Sequence, residues 1–121
     1  PPPSGLSVRR GRVAYLRCDG VEQRGGRFPC PRDEALEAAV WPVVDALTAC
    51  PTAPRRPGRA DVRLDYRADQ PPRVEWRDTF ADGVVRLDPG RVLGCLEEPL
   101  AATRQSLGAA RLLVSFRFRL E

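Results

Sequence analysis

The chain is 121 residues long and carries 20 basic and 16 acidic side chains, a formal net charge of +4, with no histidine and no methionine. A single domain of this size builds a real core yet gains from covalent staples, and so small a charge excess is modest for a protein that tracks a nucleic-acid backbone. Without histidine there is no Ser-His or Cys-His nucleophile system, no mixed Cys/His zinc site and no imidazole base near neutral pH.

Pro1-Pro2-Pro3-Ser4-Gly5 reads as the end of a stiff Pro-rich linker, so residues 1–11 are assigned to a linker or tail and residues 12–121 to one domain. Lys, Ile and Asn are absent while Arg, Ala, Val, Leu, Pro and Gly abound, the residue usage of a GC-rich bacterial genome. The chain reads as part of a longer protein, and membrane association is expected only through a segment upstream of the linker. Between Arg12 and Arg17, residues Val13, Tyr15 and Leu16 predict a short strand, and Arg27-Phe28 is expected to return beside it after the glycine-rich loop.

Pro31 suits the first turn of a helix, with Asp33 and Glu34 favourably placed at its positive end. Leu36, Val40, Val43, Val44 and Leu47 form one apolar stripe at helical spacing, with Trp41 at its edge and Glu37 and Asp45 facing elsewhere. Pro42 is expected to kink this helix or end its first half. Pro51, Pro54 and Pro57 stop it beyond Cys50.

Val62, Leu64 and Tyr66 then alternate with charged residues, and after the turn Asp69-Gln70-Pro71-Pro72 the pair Val74 and Trp76 does the same, which predicts a hairpin with one wet face. Val84, Val85 and Leu87 extend it or form a short separate piece. Asp88-Pro89 supplies a helix start, and Val92, Leu93, Leu96, Leu100, Thr103 and Leu107 fall on a second helical stripe despite Pro99. Leu112, Val114, Phe116, Phe118 and Leu120 give the clearest alternation in the chain, a closing strand.

Four cysteines, Cys18, Cys30, Cys50 and Cys95, allow three disulfide connectivities. The turn formers Asp19-Gly20 and Gly25-Gly26 favour Cys18 with Cys30, which leaves Cys50 with Cys95 to join the two helices. Four reduced core thiols are the alternative, and the lack of any C-x-x-C pair argues against a metal site. Disulfides in turn imply an extracytoplasmic location, periplasmic or secreted.

The element order predicts an α+β fold, an antiparallel sheet with two helices on one face plus an N-terminal cystine-closed hairpin. The helix ending at Cys50, the hairpin of Val62 to Tyr66 with Val74 to Trp76, Cys95 in the second helix and the closing strand Leu112 to Leu120 resemble the C-terminal domain of TonB-like periplasmic proteins, in particular the cysteine-containing versions linked to gliding motility. The resemblance runs from Ala35 to Glu121, and the Pro-rich lead-in fits it. It implies a cell-envelope protein with a protein or peptide partner.

Catalytic chemistry is thin. Glu97-Glu98 reads as a solvated helix face, Asp78 and Thr79 near Phe80 lack a base, and Gly25-Gly26 is a turn with none of the phosphate-binding patterns around it. No enzyme, cofactor, metal or nucleic-acid partner is expected. Asp61, Asp65 and Glu75 are interleaved with Arg63, Arg67, Arg117 and Arg119, so cross-strand ion pairs account for those arginines. The expected role is a non-enzymatic interaction or sensor domain, whose partner adds to the edge of the closing strand and is steered by Arg111, Arg117 and Arg119. A protease inhibitor presenting Arg24 and Arg27 in the loop between Cys18 and Cys30 is the alternative.

Overall fold

The computed structural model describes residues 5–21, 30–79 and 94–121. Its strands are β1 (Val8–Asp19), β2 (Gly58–Arg67), β3 (Arg73–Thr79) and β4 (Arg111–Leu120), all antiparallel in one sheet of order β1-β4-β2-β3. Helix α1 (Glu34–Asp45) runs into a 3-10 turn, Ala46–Ala49, and a second helix, α2, covers Glu97–Ala101. The α+β class is the one the sequence predicts.

One sheet face is dry. Val13, Phe116 and Val62 stand in register across β1, β4 and β2, as do Tyr15, Val114 and Leu64 one step further along. Over them lie Leu36, Val40 and Val44 of α1, with Leu47, Leu96 and Leu100, all buried. Phe116 and Phe118 are buried as the alternation predicts, and Arg117 and Arg119 are exposed.

Several expectations change. β1 begins at Val8, so residues 8–11 belong to the sheet rather than to the lead-in, and its described neighbour is β4. α1 starts at Glu34, three residues beyond Pro31, because the Asp33 carboxylate caps it by accepting from the Leu36 N–H at 3.1 Å. Pro42 lies within α1 without ending it, since Pro42 and Ala38, whose carbonyl would otherwise take its bond, are both exposed and water can serve that carbonyl. Glu37 does not face solvent but is 6% exposed. α2 ends at Ala101, so Thr103 and Leu107 approach the core from non-helical backbone, and Cys95 precedes the helix instead of lying in its middle. Pro99 falls in the first turn of α2, where a missing N–H is tolerated. Arg27-Phe28, Val84 to Leu87, Asp88-Pro89, Val92 and Leu93 lie outside the described residues.

Disulfides join Cys18 to Cys30 and Cys50 to Cys95, with Cα atoms 5.7 and 6.2 Å apart. Such bonds form and persist in oxidising, extracytoplasmic compartments. Among the described residues no helix is long and apolar enough to cross a membrane.

Candidate interaction surface

The closing strand is not an edge. β4 pairs with β1 on one side and β2 on the other, so its main-chain groups are already engaged and no partner strand can add there. The physical reason lies in its wet face, where Leu113 is half-buried and Ser115 is 6% exposed between the neighbouring strands. Arg111 and Arg117 reach across to β2 instead of outward. Arg111 grips Asp65 through Nε at 3.2 Å and Nη2 at 3.1 Å, and Arg117 Nε meets Asp61 at 3.1 Å. Arg119 is exposed and forms no ion pair among the described residues. Arg24 and Arg27 lie outside the described residues.

Among the described residues the two edge positions belong to β1 and β3, and the register of β1 slips twice, between Arg10 and Val13 and again between Tyr15 and Arg17. A bulge adds a residue to one strand and re-aims its side chain. At the second slip that residue is Leu16, the large hydrophobic side chain left 48% exposed. Beside it runs a groove of about 850 Å³ between β1 and α1, lined by Arg12, Val13, Tyr15, Leu16, Glu37 and Trp41 among others.

Polar groups fix the groove's inner wall. Arg32 donates two hydrogen bonds to Glu37, at 2.9 and 3.0 Å, and the Tyr15 hydroxyl donates a third at 2.5 Å. That same hydroxyl accepts from the Asp33 N–H at 2.9 Å, which ties β1 to the start of α1. Burial pushes the Glu37 carboxyl up, but the bonds from Arg32 and Tyr15 outweigh it and hold it below the usual carboxylate range. Burial and the bond to Glu37 push the Tyr15 phenol well above its usual value. Carboxylate and phenol therefore keep their charge states across the physiological range and act as fixed hydrogen-bonding groups.

Beneath this wall Asp33, 1% exposed, binds the far end of the chain. Its carboxylate accepts from the Ser106 N–H at 2.7 Å and from the Ser106 hydroxyl. Among the described residues no group of three or more Cys, Asp or Glu side chains is placed to hold a metal ion. Sequence reasoning placed the docking edge on β4 and missed the groove. The available signal was Tyr15-Leu16, two large apolar residues in succession on a strand, which cannot both face one side of a regular pleat.

No family model matches the chain, and no curated protein or solved structure matches it.

Proposed function

We propose that this is a non-enzymatic, extracytoplasmic interaction or sensor domain, carried on its Pro-rich lead-in by a larger envelope protein, that takes an extended acidic peptide along the outer edge of β1. The observation that supports it is the exposed Leu16 beside an 850 Å³ groove on an edge strand, which among the described residues has a strand neighbour on one side. An added strand gains main-chain hydrogen bonds, and every second side chain enters the groove. Arg12 lines that groove and forms no ion pair among the described residues, so an acidic side chain of the peptide completes it. The TonB-like resemblance supports the same reading, with the docking strand moved from β4 to β1.

Hydrogen exchange on a complex captured from cell envelopes tests this. The expected result is slowed exchange at the amides of Arg12 to Arg17, with binding lost in Leu16→Glu. Protection confined to α1 and α2 would sink the reading. Protection confined to the loop between Cys18 and Cys30, with inhibition of a trypsin-like protease, would replace it by the inhibitor reading.

A further inference from the structure

A hydroxyl sits against the sulfurs of the Cys50–Cys95 bridge. Cys50 follows the 3-10 turn, and Pro51, with its fixed φ, opens a β-turn that is closed by the Ala53 N–H on the Cys50 carbonyl at 3.0 Å. Thr52 takes the third position of that turn, with its side chain folded back over the bridge. Its Oγ1 lies 3.0 Å from Cys50 Sγ and 3.8 Å from Cys95 Sγ. Disulfide sulfur has no hydrogen to give, so the Thr52 hydroxyl donates and Cys50 Sγ is its nearer acceptor.

The two sulfurs differ in access as well. Cys50 is 7% exposed, whereas Cys95, in the turn that precedes α2, is an exposed residue. Cys18 and Cys30 are both buried, at 6% and 9%. Thiol–disulfide exchange depends on which sulfur can be approached and on how well the other one leaves as a thiolate. At Cys50–Cys95 both factors choose the same direction, attack at Cys95 and departure of Cys50. The Thr52 hydroxyl is already placed to meet the charge that develops on Cys50, and a hydrogen bond strengthens as its acceptor ionises.

We propose that Cys95 is a site of reversible S-thiolation by small thiols, with Thr52 as the positioning residue for the Cys50 leaving group. The sulfur of an incoming thiolate bonds to Cys95 Sγ, and the Cys50–Cys95 bond breaks with its electron pair on Cys50 Sγ. The Cys50 thiolate then takes a proton from water, so one disulfide replaces another with no net oxidation. Return attack by the Cys50 thiolate expels the small thiol and closes the bridge again. The exchange unfastens the end of the 3-10 turn from the approach to α2. It goes beyond the peptide reading, since none of these three residues lines the β1–α1 groove.

The test exposes the oxidised whole chain to excess 2-mercaptoethanol under native conditions, followed by acid quenching, alkylation of free thiols and peptide mapping over time. The expected early product carries the small thiol on Cys95 and the alkyl group on Cys50, with Cys18–Cys30 still intact. Thr52→Val, checked as folded by its melting curve, should open the bridge roughly five-fold more slowly, the rate equivalent of one net hydrogen bond. Thr52→Ser, which keeps the hydroxyl, should restore the parent rate. The position of the adduct in the parent protein is read independently of both variants. An early adduct on Cys50, prior opening of Cys18–Cys30, or a Thr52→Val rate equal to the parent's would overturn the proposal.

Discussion

The indole of Trp41 meets the ring of Phe116 edge-on, with centroids 5.3 Å apart and planes at 85°. Phe116 sits on an interior strand, between Val13 and Val62 in register, and Trp41 belongs to the helix above, so this contact ties the two layers together. Arg10 covers the outer side of the indole, 5.6 Å from its centroid, and is held there by Asp45. Phe116→Ala removes the ring from a fully buried position and should cost about 3–5 kcal/mol. For a domain of this size that lowers the melting midpoint by on the order of 10 °C or more. A variant melting within a degree or two of the parent would refute the layer assignment.

β2, β3 and β4 are legible in the sequence because each alternates cleanly between a dry and a wet face. β1 is only half legible. Its inward residues, Val8, Arg10, Val13, Tyr15 and Cys18, are spaced by two, three, two and three because of its two bulges, and one of them is an arginine. Period-two reasoning therefore sees a fragment. Strand order is hidden for another reason: it depends on which surfaces remain to be covered after the hairpin forms, which no local pattern records. The half-buried Leu113 and buried Ser115 were the hint that β4 is internal. Asp33 is legible only as an acid favourably placed at the start of the helix; neither its capping bond to Leu36 nor its partner Ser106, 73 positions away, is.

Asp33→Ala should be among the most damaging polar substitutions. It removes the cap on α1, at about 0.5–2 kcal/mol, and leaves the Ser106 N–H without its acceptor, at roughly 1–3 kcal/mol more. A double-mutant cycle of Asp33→Ala with Ser106→Ala should show coupling of about 0.5–3 kcal/mol. Additive losses in denaturant unfolding would mean that the two residues do not act together.

Stability should fall at both ends of the pH scale, for different residues. Glu37 has a folded pKa below its ordinary value near 4.5, so its contribution is present above that value and is lost as the pH falls through the folded one. Tyr66 is pushed up to about 12, first by burial, against the stabilising bond between its hydroxyl and Thr103 at 2.6 Å. Its raised pKa means a contribution that is full below the ordinary phenol value of 10.0 and lost as the pH climbs towards 12. Unfolding measured from pH 3 to 12 should show Glu37→Gln flattening the acid limb and Tyr66→Phe the alkaline limb. Unchanged limbs in both variants would contradict these environments.

The two disulfides should differ in worth. The Cys50–Cys95 bridge closes a separation of 45 residues and Cys18–Cys30 one of 12. Loop-closure entropy alone predicts about 4 kcal/mol for the longer and about 3 kcal/mol for the shorter. Paired Cys→Ala variants compared by denaturant midpoint should therefore rank Cys50/Cys95 as the more damaged. The reverse order would show that the N-terminal bridge holds β1 and α1 together beyond its entropic effect.

Gly11 lies within the first β1 bulge, hard against the main chain of β4. A Cβ built there would stand 2.7 Å from the Arg117 carbonyl oxygen and 3.2 Å from its carbon. Those are main-chain atoms of β4, a strand paired on both sides, so they cannot swing aside as a flexible side chain would. Gly11→Ala must instead push β1 outward, at a cost of about 1–3 kcal/mol for overpacking. The effect should be local, with amide exchange accelerated from Arg9 to Val13 while Tyr15 to Asp19, fastened by Glu37 and the Cys18 bridge, stays protected. Gly108→Ala provides the contrast: nothing lies within 4 Å of its added carbon, but its φ of +67° strains any other residue, so it should cost roughly 1–2 kcal/mol without touching exchange in β1. If Gly11→Ala matched the parent in both melting midpoint and β1 exchange, the close approach of β1 to β4 at this bulge would be wrong.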